Sequence, residues 1–145
     1  MLKGISPLLS PDLLKTLSEM GHGDEIVIAD AGFPAARLAR DGILLRADGV
    51  GAADMLRAVL SVLPLDQYDR HNVALMAVVP GDPVEPQIWQ TYRDIFAVTE
   101  PEAEPHFLTR EAFYERASHA YAIVATGELA QYANILLKKG VCHRG

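Results

Sequence analysis

The chain has 145 residues, half of them hydrophobic and 22% charged, with a formal charge of −6. That balance excludes a disordered chain. Thirteen basic against nineteen acidic residues argue against a nucleic-acid binder, which presents a basic face.

In chain order, Ser10-Pro11-Asp12 opens a helix with a serine cap, a proline at the first position and an acid in the first turn. Leu13, Leu14, Leu17 and Met20 recur at helical spacing, and Gly21 stops it. Glu25–Ala29 is a β-branched run that reads as a buried strand ending at Asp30. Ile43–Arg46 predicts a second strand, and residues 52–63 a helix with Met55, Leu56, Val59 and Leu63 on one side. Val73–Val79 reads as a strand stopped by Pro80-Gly81-Asp82-Pro83, followed by a helix from about Glu85. The acidic, proline-bearing Glu100–Pro105 predicts a surface loop. Thr109 caps a helix to about His119, and Tyr121–Ala125 and Asn134–Lys138 close the chain as strands. This alternation predicts a single α/β domain over residues 1–145 with a largely parallel or mixed sheet.

Several polar groups stand where chemistry is done. His22, between Gly21 and Gly23, sits on permissive backbone and titrates near neutrality, so it can move a proton. Asp30 follows a strand, where ligands settle in α/β sheets, although aspartate also starts turns. Arg110 stands at a helix start, which disfavours a cation and hints at a ligand. Tyr132 and Asn134 would share one side of an extended segment and suit adjacent hydroxyls. Asp48-Gly49-Val50-Gly51 follows a strand but lacks both the dinucleotide fingerprint and the P-loop lysine, so it reads as an ordinary turn. The five histidines offer no i, i+4 pair, and no metal or cofactor is expected. Cys142 is the only cysteine and is expected to be inert. No apolar run approaches the roughly 20 residues of a membrane span, and Met1–Pro7 lacks the core of a signal peptide, so a cytoplasmic protein is expected.

Six blocks in fixed order then carry a resemblance. They are Met1–Pro7, Glu19–Glu25, Asp30–Ala35, Arg46–Gly49, Phe113–Ala117 and Tyr132–Gly140. Together they resemble the L-fucose mutarotase and D-ribose pyranase family over nearly the whole chain. The resemblance implies a three-layer α/β/α fold in pentameric rings, often stacked as decamers. It implies an enzyme that interconverts the ring forms of a monosaccharide. It implies His22 as proton donor and Asp30, Arg110 and the Tyr132-Ala133-Asn134 motif as sugar-binding residues. Gly32 and Ala133 follow the ribose branch, whereas Arg46–Gly49 and Phe113–Ala117 follow the fucose branch, which the set favours.

Anomer exchange needs an acid for the ring oxygen and a base for the anomeric hydroxyl, together supplying about 10²–10⁴-fold. The base is open between a bound water and Tyr132. Fully extended, the eight steps from His22 to Asp30 span about 26 Å. Either the flanking loops curl together or the two residues meet across a subunit boundary, and the second is preferred. A non-catalytic sugar-binding or transport-accessory module would use Asp30, Arg110, Tyr132 and Asn134 but have no need of an ionisable His22, and a nucleotide or phosphosugar binder would be built on Asp48–Gly51.

Overall fold

The computed structural model describes residues 1–143. In chain order the elements are α1 (Pro11–Glu19), β1 (Glu25–Ala29), α2 (Ala35–Leu38), β2 (Ile43–Ala47), α3 (Ala52–Leu60), β3 (Val73–Met76), α4 (Ile88–Thr99), β4 (His106–Leu108), α5 (Arg110–Ser118), β5 (Ala122–Thr126) and β6 (Ile135–Lys138). The six strands form one mixed sheet in the order β2-β5-β1-β6-β3-β4. Only β6 runs against its neighbours, antiparallel to β1 and β3, while β2, β5 and β1, and separately β3 and β4, pair in parallel.

Both faces of the sheet are covered, and the strand pleat decides which residue goes where. Ile26, Ile28, Val124 and Leu137 face one core with Leu13 and Leu17 of α1, Met55 and Leu56 of α3, and Tyr92 and Phe96 of α4. Their neighbours Val27, Ala29, Ile123 and Leu136 face the other, with Ala35 of α2 and Phe113 and Ala117 of α5. This is the expected three-layer α/β/α sandwich. It also explains why the central strands read as unbroken apolar runs rather than as alternation.

The helix starts form as their caps dictate. The Ser10 hydroxyl accepts from Leu13 N and the Thr109 hydroxyl from Ala112 N. Lys139 does at the other end of α1 what no residue of that helix does. Its ammonium donates to the carbonyls of Leu17 and Met20 at 2.7 and 2.6 Å. Three expectations need correction. Val73–Val79 pairs only as far as Met76, and α4 begins at Ile88 rather than at Glu85. The expected α3 ends at Leu60 rather than Leu63, and α2 and β4 were not foreseen.

Candidate active site

The strand directions gather the site. The parallel strands β1, β3 and β4 end on one side of the sheet, and the reversed β6 begins there. Around their tips lies an open cavity of about 350 Å³ bordered by Asp30, Asp82, Arg110, Tyr114, Tyr132 and Asn134. That volume is in the range of small-molecule sites. Asp30, just past β1, donates its backbone N–H to the side chain of buried Asn134, just before β6, at 2.7 Å. Its carboxylate accepts from Gly32 N at 3.0 Å. Burial pushes the Asp30 carboxyl above the usual carboxylate range, and hydrogen bonds from Gly32, Phe33, Asn134 and Ala133 offset this only in part. Arg110 is the first residue of α5, and Tyr114 follows it at i+4 on the same face.

The Tyr132–Asn134 segment is not extended, contrary to expectation. Tyr132 has φ +58°, the left-handed region that a non-glycine residue enters at roughly 1–2 kcal/mol. It is held there from three sides. Its carbonyl accepts from the Trp89 indole at 2.8 Å. Its hydroxyl donates to Asp82 at 2.5 Å and accepts from Val79 N at 3.3 Å. Both Tyr132 and Asn134 reach the cavity even so. Ala133 between them is buried, brings no side chain to the cavity wall, and gives its carbonyl to the Tyr92 hydroxyl at 2.6 Å.

His22 sits at the other end of β1, in a turn closed by Asp24 N on Gly21 O and by Gly23 N on Lys139 O. Gly23 has φ +88°, which a side chain would resist. The imidazole Nε2 lies 3.0 Å from Asp66 Oδ1, with His22 about half exposed and Asp66 buried. Burial alone would raise the Asp66 carboxyl, but hydrogen bonds from Tyr68 N and His22, with the charges of His22 and Lys138, hold it below the usual range. Asp66 is therefore ionised at neutral pH and accepts only, so Nε2 carries the proton and Nδ1 is left for a ligand. Within one chain the flanking loops do not bring His22 to the Asp30 cavity, whose walls include none of His22, Asp66 and Tyr68. A wider cleft of about 480 Å³ lies beside His22, but its charges are already paired, Arg116 with Glu25 at 2.5 Å and Lys138 with Asp69 at 2.6 Å.

The Asp48–Gly51 turn loses its phosphate reading for a physical reason. The Glu128 carboxylate occupies the amino end of α3, accepting from Ala52 N at 3.0 Å, so an anion site there is already filled. Asp48 is spent on Arg46 at 2.7 Å. Among the described residues no cluster of three or more His, Cys, Asp or Glu side chains is placed to hold a metal, and Cys142 is exposed. Sequence reasoning missed Asp66, Asp82 and Tyr114. Only Tyr114 left a signal, its i+4 spacing from Arg110. Asp66 and Asp82 find their partners 44 and 50 residues away.

An α/β sandwich with a polar cavity at its strand tips defines a class of small-ligand proteins. The family model of the RbsD / FucU transport protein family matches residues 3–142, and the chain belongs to that family. It is 51% identical to the fucose mutarotase from Streptococcus pneumoniae solved in complex with L-fucose, covering 98% of this chain and 100% of that one with a TM-score of 0.90. FucU from Bifidobacterium longum is 47% identical, covering 97% and 100%, with a TM-score of 0.93. RbsD from Bacillus subtilis, solved with D-ribose, is 26% identical over 99% and 100%, with a TM-score of 0.76.

Proposed function

We propose that this protein is a sugar mutarotase that interconverts the anomers of L-fucose by acid–base ring opening and closing. By the same opening it would exchange pyranose and furanose forms. The reading is carried by one observation: the cavity of Asp30, Arg110, Tyr132 and Asn134 lies in a chain half identical, end to end, to a fucose mutarotase that holds L-fucose. Asp30 and Asn134 accept and donate to sugar hydroxyls, and Arg110 and Tyr132 fix the ring. His22, acting in its doubly protonated form with Nε2–H held on Asp66, protonates the ring oxygen from Nδ1 and is left neutral. Placed groups of this kind account for the modest acceleration required without metal or nucleotide.

His22 and Asp30 flank opposite ends of β1, roughly 13 Å of strand apart. We place them in one site across a subunit boundary, His22 from one copy facing the cavity of the next. Such head-to-tail contacts close into rings, here a pentamer or a decamer of stacked rings, in the cytoplasm. No helix among the described residues is long and apolar enough to cross a membrane.

Saturation-transfer NMR on L-fucose, D-ribose and D-galactose tests the reading. Fastest exchange is expected on L-fucose, and His22→Ala should lower it by about 10²–10⁴-fold. D-Ribose exchanged fastest would move the protein to the pyranase branch, which Gly32 and Ala133 resemble. Full exchange by His22→Ala would leave a sugar binder rather than this enzyme.

A further inference from the structure

The reaction needs a group to take the anomeric proton, and the cavity contains two carboxylates, Asp30 and Asp82. Resting on the mutarotase reading, we infer that Asp82 is the final acceptor of that proton and receives it through the Tyr132 hydroxyl. Asp82 is held for the task from both oxygens. Its Oδ1 accepts from Val84 N at 3.1 Å, and its Oδ2 accepts from the Tyr132 hydroxyl at 2.5 Å. Tyr132 is fixed by Trp89 and Val79, so the dyad is set before any sugar arrives. Such preorganisation is what a proton transfer requires.

Asp30 is less suited. The donors around its carboxylate are the N–H groups of Gly32, Phe33 and Ala133 and the Asn134 side chain, none of which can take up one proton while passing on another as a hydroxyl does. Tyr132 cannot serve alone, because its hydrogen bond to Asp82 keeps the phenol protonated above the ordinary tyrosine range. Its oxygen can still gain one proton as it gives up another.

The step balances in those terms. The anomeric O–H bond breaks and its proton bonds to Tyr132 Oη, while the proton Tyr132 held passes to Asp82 Oδ2. The electron pair released forms the carbonyl, the bond from the anomeric carbon to the ring oxygen breaks, and that oxygen takes a proton from His22. Reclosure on the other face returns both protons. Asp82 is thus a positioning residue that also stores the proton, and Tyr132 is the group that touches the sugar.

Asp82→Asn separates this role from a structural clamp, because an amide still hydrogen-bonds Tyr132 but cannot take its proton. The expected result on L-fucose is a kcat lowered about 10²-fold with KM within threefold of wild type. Asp82→Glu should restore much of the rate. Tyr132→Phe should lose as much as Asp82→Asn, and the double variant no more than either, as members of one unit do. An Asp82→Asn protein with wild-type kcat, or one whose loss lies in KM alone, would overturn the relay while leaving the mutarotase reading intact. Wild-type protein that accelerates exchange of none of the three sugars would overturn both.

Discussion

Asp30 carries its charge against its surroundings. Burial outweighs the donors around it, so its carboxyl titrates above the ordinary range. The sign follows from linkage: the folded state binds this proton more tightly than the unfolded chain. Asp30 therefore favours folding at low pH, and that contribution is lost as pH rises through its elevated folded value. Asp30→Asn should then melt no lower than wild type at pH 7, with the difference closing toward pH 4, while anomer exchange is lost. Calorimetry and NMR exchange on the same samples check the pair. Asp66 and Asp69 behave oppositely. Both are held below the usual range, Asp66 by Tyr68 N and His22 against its burial, and Asp69 by Lys138 and His71 N. Their stabilisation is full above about pH 4 and fades as pH falls through their lower folded values. Mutating His22 to Ala should weaken the acid resistance that Asp66 supplies, visible as an acid-unfolding midpoint shifted to higher pH.

At the scale of elements, the site depends on the turn between β5 and β6. Tyr92 of α4 supports that turn from inside the core, its hydroxyl on the Ala133 carbonyl. Tyr92→Phe leaves this carbonyl buried without a partner and should cost about 1–3 kcal/mol in urea unfolding. Gly127 supports it from the β2 side, where an added Cβ would lie 1.9 Å from the Asp48 carbonyl oxygen. Gly127→Ala should cost about 1–3 kcal/mol or more, since backbone must move. Elements with local signals were legible in the sequence: the Ser10 and Thr109 caps, and the apolar runs of β1 and β5. Strand β4, three residues long, has no signal apart from its pairing with β3, and α2 is a single turn after Pro34. Asp30, Arg110 and Asn134 were legible as polar groups beside strand or helix ends. The left-handed Tyr132 was not, because Trp89, 43 residues away, holds it. Asp82 read as part of a strand stop, because its partner Tyr132 lies 50 residues away.

At the scale of the whole molecule, one chain carries His22, the proposed acid, at one end of β1 and the Asp30 cavity, the proposed sugar site, at the other. On the proposed reading such a chain works only when copies meet, and activity is then a property of the assembly. Disrupting the ring should abolish exchange without unfolding the subunit. Hybrid assemblies test this sharing most directly. His22→Ala and Asp30→Asn proteins, each inactive alone, would be co-expressed in equal amounts and their mixed composition verified by native mass spectrometry. A shared site predicts recovery to about a quarter of wild-type exchange, the fraction of boundaries where an intact His22 meets an intact cavity under random mixing. Hybrids proven to contain both subunits that stay as inactive as the parents would contradict it.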